Sequence, residues 1–516
     1  MIRSTFLIAS LAAAGALWIA PVVAAAPPTS PRDVAKAAKA ADLGRQARAA
    51  GEIGDFEKAA ELFQQQLDLA PDDRWGWYNL ARTLAALGKV DEGLDALRQA
   101  TEHGYDDYHN LEDDALMKPI TTSREGRTLL QDWSALLDQQ LERNLEESRD
   151  IIGGQGAERR IDRLRIVVLT SREERTLDDA QDQLELVAQW AQKDFFPELT
   201  DPIAAATDPW VVIVLPEKKE FETWAKQYLT AQSALTKNPR GGVVAGGSAS
   251  IGGAYDRETR RLVARDLGPS LRHEFAHVLH WRLCDRAKQI HPIWVQEGLC
   301  ALPEDYDPAA EGGMVPAASW RSNTAKRMLS AGTLTSIEDL IRTPRETFMG
   351  VRPLGWYAQS RTLFLYIQME GKLPAWSLAY RDAMRDVDAE DPGAQARAAD
   401  KAFEAAFGKP TKGIDKDYRK WLRDLPEVPE DVPQGAASLG VEVQNGLGEG
   451  PAVVSLRLKD SPFKTGDIIY SLDDRRIADI PELVRILASY RPGDDVRVVV
   501  RRGDNERELN VELTPR

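Results

Sequence analysis

His273-Glu274-Phe275-Ala276-His277, followed after nineteen residues by Glu297 within Trp294-Val295-Gln296-Glu297-Gly298-Leu299, is the stretch on which the reading of this chain turns. On a helix, residues four apart lie on one face, so His273 and His277 aim two imidazoles at one spot, with Glu274 beside them. Two neutral imidazoles and a carboxylate are the ligand set of a catalytic zinc, which keeps a fourth position for water. The expected metal ligands are therefore His273, His277 and Glu297, holding one catalytic Zn2+, and Glu274 is the expected general base. The chain has six histidines, and four of them (His273, His277, His280 and His291) fall within nineteen residues. At that composition the motif arises by chance on the order of 0.01 times or fewer. His280, one turn further along the same face, reads as a residue supporting the ligands or as core, and His291 as a loop residue before Pro292.

Working outward, 516 residues are too many for one ordinary core and suggest about three domains. Hydrophobic residues at 43% and charged residues at 28% describe a globular chain. A net charge of -15 argues against nucleic acid or an anionic membrane surface as partner. Residues 1–25 read as a signal peptide: Arg3, an apolar run from Phe6 to Ile19, then small residues at Val22-Val23-Ala24-Ala25. The expected destination is export, periplasmic or secreted, with an uncleaved anchor as the alternative. No other apolar run approaches the ~20 residues of a membrane span. Cys284 and Cys300 are the two cysteines, expected to be buried, free thiols too far apart to bridge.

Pro27-Pro28-Thr29-Ser30-Pro31 reads as a spacer before a helical region, 34–140. Gly54-Asp55-Phe56-Glu57-Lys58-Ala59 and Gly88-Lys89-Val90-Asp91-Glu92-Gly93 lie 34 residues apart. With Phe63, Pro71, Trp77, Leu80, Ala81, Leu84, Leu97 and Ala100, this region resembles tetratricopeptide repeats, stacked helix-turn-helix units. It departs from them at Gly93, where Ala is usual, and at Tyr105, where Pro is usual. Two units are too few to stand alone, so Asp107 to Leu136 is expected to add a capping helix pair. The resemblance implies a concave surface for a protein partner; the bland alternative is a helical pedestal.

Gln140 to Arg160 reads as a polar helix or linker. From 160 to 425 the pattern is α+β. Leu164–Thr170, Trp210–Leu215 and Arg261–Arg265 are expected strands, and Leu177–Leu199 an expected helix. The Gly/Ser-rich Gly241–Gly253 is too irregular for a phosphate loop. Gly268-Pro269-Ser270 opens the motif helix, with Pro in the first turn where its missing N–H does no harm. Five further helices follow: Ser319–Leu329, Tyr357–Glu370, Trp376–Asp386, Ala394–Phe407 and Asp415–Leu425. A metzincin would need Gly at position 280 and His at 283, where this chain has His280 and Leu283. The motif with Trp294-Val295-Gln296-Glu297-Gly298-Leu299 instead resembles the gluzincins, the thermolysin-like and aminopeptidase N-like zinc peptidases. That resemblance implies the same ligand set, with Glu274 deprotonating the water and protonating the leaving amine. No histidine follows His291, so Tyr357, in Gly355-Trp356-Tyr357-Ala358, is the candidate oxyanion donor, with a packing tyrosine as the alternative. The aminopeptidase signature Gly-x-Met-Glu-Asn is absent, which favours endopeptidase action. The strand Arg261–Arg265 is the expected edge for substrate backbone.

Residues 426–436, acidic and Pro-rich, read as a linker that cannot join a packed core cheaply. From 437 to 516 the alternation turns to period two, with strands at Val496–Val500 and Leu509–Leu513 and a helix at Pro481–Ser489. With Leu439-Gly440-Val441 and Lys464-Thr465-Gly466-Asp467-Ile468-Ile469, the segment resembles a bacterial PDZ domain, although the usual Ala-Gly-Leu before Gly-Asp is missing. The resemblance implies that the Leu439, Gly440 and Val441 backbone receives a peptide carboxylate, with the peptide adding as a strand. The expected fold class is thus multidomain: an α-helical tetratricopeptide solenoid, an α+β zincin domain and a β-rich PDZ-like domain. The expected activity is hydrolysis of protein or peptide substrates, with a catalytically inactive zincin scaffold, or a zinc hydrolase of other substrates, as alternatives.

Overall fold

The computed structural model describes residues 31–516 apart from 155, 173, 196–208, 216–219, 222, 226–252, 257–258, 308–312, 351–352, 386, 389–390, 429–431, 446–449, 474, 478–479 and 504. The expected signal segment and all of Gly241–Gly253 but its last residue lie outside the described residues. Among those described, no helix is long and apolar enough to cross a membrane. The chain forms two compact units, one ending at Gln140 and one beginning at Leu141.

In the first unit, helices Pro31–Glu52, Phe56–Leu69, Arg74–Ala86 and Val90–Glu102 follow one another as hairpins. Asp55 and Asp73 cap the second and third, accepting from Lys58 N and Trp75 N at 3.1 Å each. The repeat period is visible in the backbone, because Gly54 and Gly88 occupy the same left-handed turn at φ +80° and +73°. Gly93 replaces Ala for want of space. A Cβ there would lie 2.7 Å from Ile120 Cδ1 and 3.1 Å from the Ala81 carbonyl. Tyr105 replaces Pro with a buried ring, stacked on Tyr78 at 4.4 Å and met edge-on by Trp75 and Trp133. The expected capping pair is not regular. Asp107, Asp114 and Ser123 each cap a fresh start, and the segment breaks into Tyr108–Asp113, Ala115–Met117, Lys118–Thr121 and Arg124–Gln131.

The second unit is built on a five-stranded sheet of β1 (Ala157–Ile161), β2 (Ile166–Thr170), β3 (Trp210–Val214), β4 (Gly253–Asp256) and β5 (Arg261–Ala264), in the order β1-β2-β3-β5-β4. The inner three strands are parallel and the outer two antiparallel to their neighbours. Every residue of β2 and β3 is buried, because both faces are covered. Ile166, Val168, Val212, Val214 and Leu262 face the main core, while Val167, Leu169, Val211, Ile213 and Val263 pack with Leu141 and Leu145. Those two leucines belong to the helix Trp133–Ile151, so the stretch expected as a polar helix or linker joins Phe221 in covering that face of the sheet. A second expectation is corrected here. Strand β5 is hydrogen-bonded on both sides, by β3 and β4, and cannot be the substrate-pairing edge. Among the described residues the edge on this side of the sheet is β4, four residues at the end of a Gly-rich run and too short to show a period.

The motif helix runs Pro269–Ala287. Asp266 starts it, accepting from Gly268 N (3.0 Å), Ser270 N (2.9 Å) and Ser270 Oγ (2.6 Å). The next helix, Ile293–Cys300, carries Glu297 and lies hard against Pro353–Met369. A Cβ on Gly298 would sit 2.7 Å from Phe364 Cδ2 and 2.9 Å from Ser360, so glycine after Glu297 is a packing requirement. The other expected helices appear as Trp320–Ser330, Leu373–Ala383, Pro392–Phe407 and Thr411–Asp424. Both cysteines are free and buried.

The linker is fastened at both ends, against expectation. Val428 exchanges two hydrogen bonds with the Asn323 amide at 2.7 and 3.0 Å, and Val432 packs on the C-terminal core. That core lies in a six-stranded sheet, ordered β12 (Asn505–Glu512), β11 (Asp495–Arg502), β9 (Ile468–Leu472), β8 (Pro451–Leu456), β7 (Val441–Asn445), with β10 (Arg475–Arg476) on β9. Short β6 (Ala437–Ser438) and β13 (Thr514–Pro515) pair separately, and the helix Ile480–Leu487 flanks edge strand β7.

Gly298→Ala should lower unfolding free energy by ~1–3 kcal/mol in urea titrations, through overpacking against Phe364. Gly350→Ala, with no atom within 4 Å of the new Cβ, should change it by less than ~0.5 kcal/mol.

Candidate metal centre

The two helices bring three donor atoms together. His273 Nε2 lies 3.1 Å from His277 Nε2, and Glu297 Oε2 lies 3.5 and 3.6 Å from them. Ligands arranged tetrahedrally around zinc at ~2.0–2.1 Å stand about 3.3 Å from one another, so the set fits such an ion with little movement. Glu297 is fully buried, and neither of its oxygens has a hydrogen-bond partner. A buried carboxylate left so needs a cation. The side chains of His277 and Glu297 are 3% and 1% exposed but His273 is 13% exposed, so the cluster is reached from the His273 side.

The electrostatics point the same way. Burial alone would lower His273, but the contacts with Glu297 and Glu304 win and hold its pKa at about 10. His277 is lowered, chiefly by burial. For Glu297, burial is outweighed by His277 and His273, which hold its carboxyl below the usual range. Burial, reinforced by Glu297 and Glu304 against an opposing His273, pushes Glu274 up to about 8. Three carboxylates in one buried pocket thus raise the proton affinity of whatever base can still take a proton.

Glu274 is pressed by the sheet edge. A Cβ on Gly253, the first residue of β4, would lie 2.7 Å from Glu274 Cγ, and Tyr255 on the same strand stacks on the His277 ring at 4.8 Å. The open strand therefore runs directly over Glu274 and His277.

Glu304 was not singled out in the sequence, where it reads as one acid in a loop. Its Oε1 lies 2.8 Å from His273 Nδ1, and Arg321 donates to both its oxygens at 2.6 and 2.9 Å. Such a carboxylate behind a ligand histidine orients the ring and selects its tautomer. Two buried arginines hold the strap that carries it. Arg272, on the motif helix, donates to the carbonyls of Pro303 (2.7 Å) and Glu304 (2.6 Å). Arg361 donates to those of Ala301 (2.8 Å) and Ala317 (2.9 Å).

Tyr357 falls within electrostatic range of the site. Burial, then Glu297 and Glu274, raise its phenol well above the usual range, so the hydroxyl stays protonated. Its ring lies under the Arg321 guanidinium at 5.8 Å and its hydroxyl rests on Met349 Sδ at 3.8 Å. His280 and His291 do not join the first cluster. They meet each other with Cys284 in a second buried cluster, His280 Nε2 being 2.9 Å from His291 Nδ1 and 3.6 Å from Cys284 Sγ. Burial lowers both rings, His291 to about 3 with Arg381 contributing.

In the C-terminal domain, Leu439 is buried, Gly440 takes φ +69°, and Val441 starts edge strand β7. The Gly440 N–H donates to Ser438 Oγ at 3.1 Å and its carbonyl accepts from Arg457 N at 2.9 Å. Asp467 of the Gly-Asp pair is fully buried and receives a two-pronged Arg502 at 2.7 and 2.8 Å.

Residues 437–513 match the family model of the PDZ domain, and residues 52–113 that of the tetratricopeptide repeat. The chain therefore carries both interaction modules. No curated protein matches the sequence. Among solved structures, an aminopeptidase N family protein from Idiomarina loihiensis is similar over 70% of this chain and 67% of that one, at 13% identity and a TM-score of 0.24.

Arg321 and His273 outweigh burial at Glu304 and lower its pKa from 4.5 to about 2. A group depressed in this way stabilises the fold fully above pH 4.5 and loses that contribution as pH falls. Urea titrations from pH 6 downward should therefore show a shallower acid loss for Glu304→Gln than for the wild type. Equal slopes would mean that the Glu304 contacts contribute nothing to stability.

Proposed function

We propose that the chain is an exported zinc-dependent peptidase acting within protein chains, with His273, His277 and Glu297 as metal ligands and Glu274 as general base. The observation that carries this reading is the convergence of His273 Nε2, His277 Nε2 and Glu297 Oε2 at 3.1 to 3.6 Å around a carboxylate with no hydrogen-bond partner. A zinc ion bound there would supply a Lewis acid and make a water molecule acidic enough to attack near neutral pH.

The chain's own groups supply the rest. Glu274 takes the proton of the attacking water and returns it to the leaving amine, a role suited to a carboxylate whose proton affinity its surroundings raise. Glu304, backed by Arg321, keeps the His273 ring in a ligating orientation. The substrate lies extended along the open edge of β4, its backbone pairing with the strand that passes over Glu274. Tyr357, neutral at working pH, turns from Met349 Sδ, a weak acceptor, and donates to the developing oxyanion. An edge that binds backbone and no signature for a free amino terminus favour internal cleavage. The tetratricopeptide and PDZ modules would recruit protein partners or substrates, and the apolar stretch behind Arg3 supports export to the periplasm or beyond.

Glu274→Gln should leave metal content unchanged and lower casein turnover by about 10²–10⁴-fold, read by elemental analysis alongside a fluorescent casein assay. Turnover that survives the substitution removes Glu274 as the base. A wild type that holds metal yet cleaves neither casein nor peptides blocked at both ends would mark the inactive scaffold instead.

A further inference from the structure

We propose that His280, Cys284 and His291 form a second metal site, closed and distinct from the first, that holds a zinc-type ion through two imidazoles and a thiolate. His280 and Cys284 stand four apart on the motif helix and share a face, and His291 comes from the connection just before the Glu297 helix. All three are buried, and their donor atoms lie within 4.8 Å of one another.

The hydrogen bonds around His291 fix which of its nitrogens is bare. The Gln289 amide nitrogen donates to the Arg381 carbonyl at 2.7 Å, so Gln289 Oε1 faces the other way. That oxygen lies 3.1 Å from His291 Nε2, which must carry the ring proton. In the neutral ring Nδ1 is then an unprotonated lone pair, directed at His280 Nε2 2.9 Å away. A ligand histidine held by a hydrogen bond on its far nitrogen is the usual supporting arrangement of a metal site. The Gln296 side chain also donates to the His291 carbonyl, so the residue is held from both sides.

The spacings suit the same chemistry. Around zinc, with N at ~2.0–2.1 Å and S at ~2.3 Å, a nitrogen and a sulfur stand about 3.6 Å apart and two nitrogens about 3.3 Å. Cys284 Sγ is 3.6 Å from His280 Nε2, and the two rings would part by roughly 0.4 Å from their 2.9 Å contact. The Cys284 thiol stands at a distance that serves a weak sulfur hydrogen bond without an ion and a ligand spacing with one. Tyr380 points to an unmet need beside the cluster: its ring meets His291 at 5.0 Å, and its buried hydroxyl has no hydrogen-bond partner among the described residues.

Binding balances simply. The Cys284 thiol gives its proton to solvent, the His280 proton moves from Nε2 to Nδ1, and His291 keeps its Nε2 proton for Gln289, so one proton leaves per ion bound. Two ligands on the motif helix and one at the entry to the next helix make the ion a bolt between the helices whose spacing sets His277 against Glu297.

The test uses the full chain, reduced, stripped with chelator and reconstituted with Co2+. The expected result is two ions per chain, with a near-ultraviolet thiolate-to-cobalt charge-transfer band. Cys284→Ser, and separately His291→Gln, should each drop the count to one and remove or shift that band, while Cys300→Ser keeps it. Glu297→Gln should remove the other ion and leave the band, so failure of the catalytic site and failure of this one read differently. The wild-type spectrum decides even where a variant does not fold. No thiolate band in the wild type, or a band that persists in Cys284→Ser, would overturn the proposal.

Discussion

Glu297 sets the terms for the helices gathered around His273 and His277. A carboxylate with no exposure and no hydrogen bond is among the most expensive groups to keep in a protein interior, and this one is kept charged by the two imidazoles facing it. Its position is fixed by packing on every side. Gly298 lets the helix Pro353–Met369 approach until no Cβ would fit. Arg361 from that helix and Arg272 from the motif helix then tie down the strap that follows. The strap returns Glu304 to the back of His273. The acid that faces the imidazoles and the acid that orients one of them thus belong to a single short segment clamped by two buried guanidiniums.

The same constraint explains what could be read from the sequence. His273, Glu274, His277 and Glu297 were legible because helical geometry converts a spacing of four into a shared face, with no help from the rest of the fold. The repeat was legible for a similar reason, since Gly54 and Gly88 recur in one turn conformation. Strands β2 and β3 were legible as apolar runs. What escaped depends on contacts between distant segments. Glu304 looks like any acid in a loop until Arg272 and Arg361 draw its strap inward. Strand β4 is four residues after a glycine-rich stretch, so neither period nor propensity marks it, and β5, equally short but more apolar and next to the motif helix, reads as the edge instead. The linker looked free because proline and acid suggest solvent, whereas one asparagine, Asn323, holds its backbone by both hydrogen-bonding groups. The spacing of four between His280 and Cys284 carried no reading in the sequence, where one was support or core and the other a buried thiol, and only the fold adds His291.

The position of β4 bears on how a substrate is presented. An unpaired edge is a hazard in most proteins and is commonly shortened, charged or covered. Here it is short and crosses Glu274, with glycine where a side chain would strike that residue's Cγ. The ligand cluster is likewise reached from the side of His273, its most exposed member. The open edge, Glu274 and the accessible face of the cluster lie together, so on the proposed function an extended chain is held by its peptide groups without selecting a particular side chain. Selection can then rest with the flanking modules, and β7 is a second open edge, with a helix beside it, on which a peptide can add.

The motif helix carries two clusters one turn apart whose surroundings differ in charge. Around the first, Glu274, Glu297 and Glu304 make a pocket so rich in negative charge that His273 binds a proton up to a pH of about 10. Around the second, burial keeps both rings neutral. Oxygen and nitrogen donors at an accessible spot suit an ion that must exchange a ligand during a reaction, whereas sulfur and nitrogen donors without solvent suit one that never does. On the two proposals, glutamates or a thiol, access or burial, separate a reactive position from a fastening one within a single helix. The fastening cluster lies at the connection between the helices because a small change in their spacing would be felt first at His277 and Glu297.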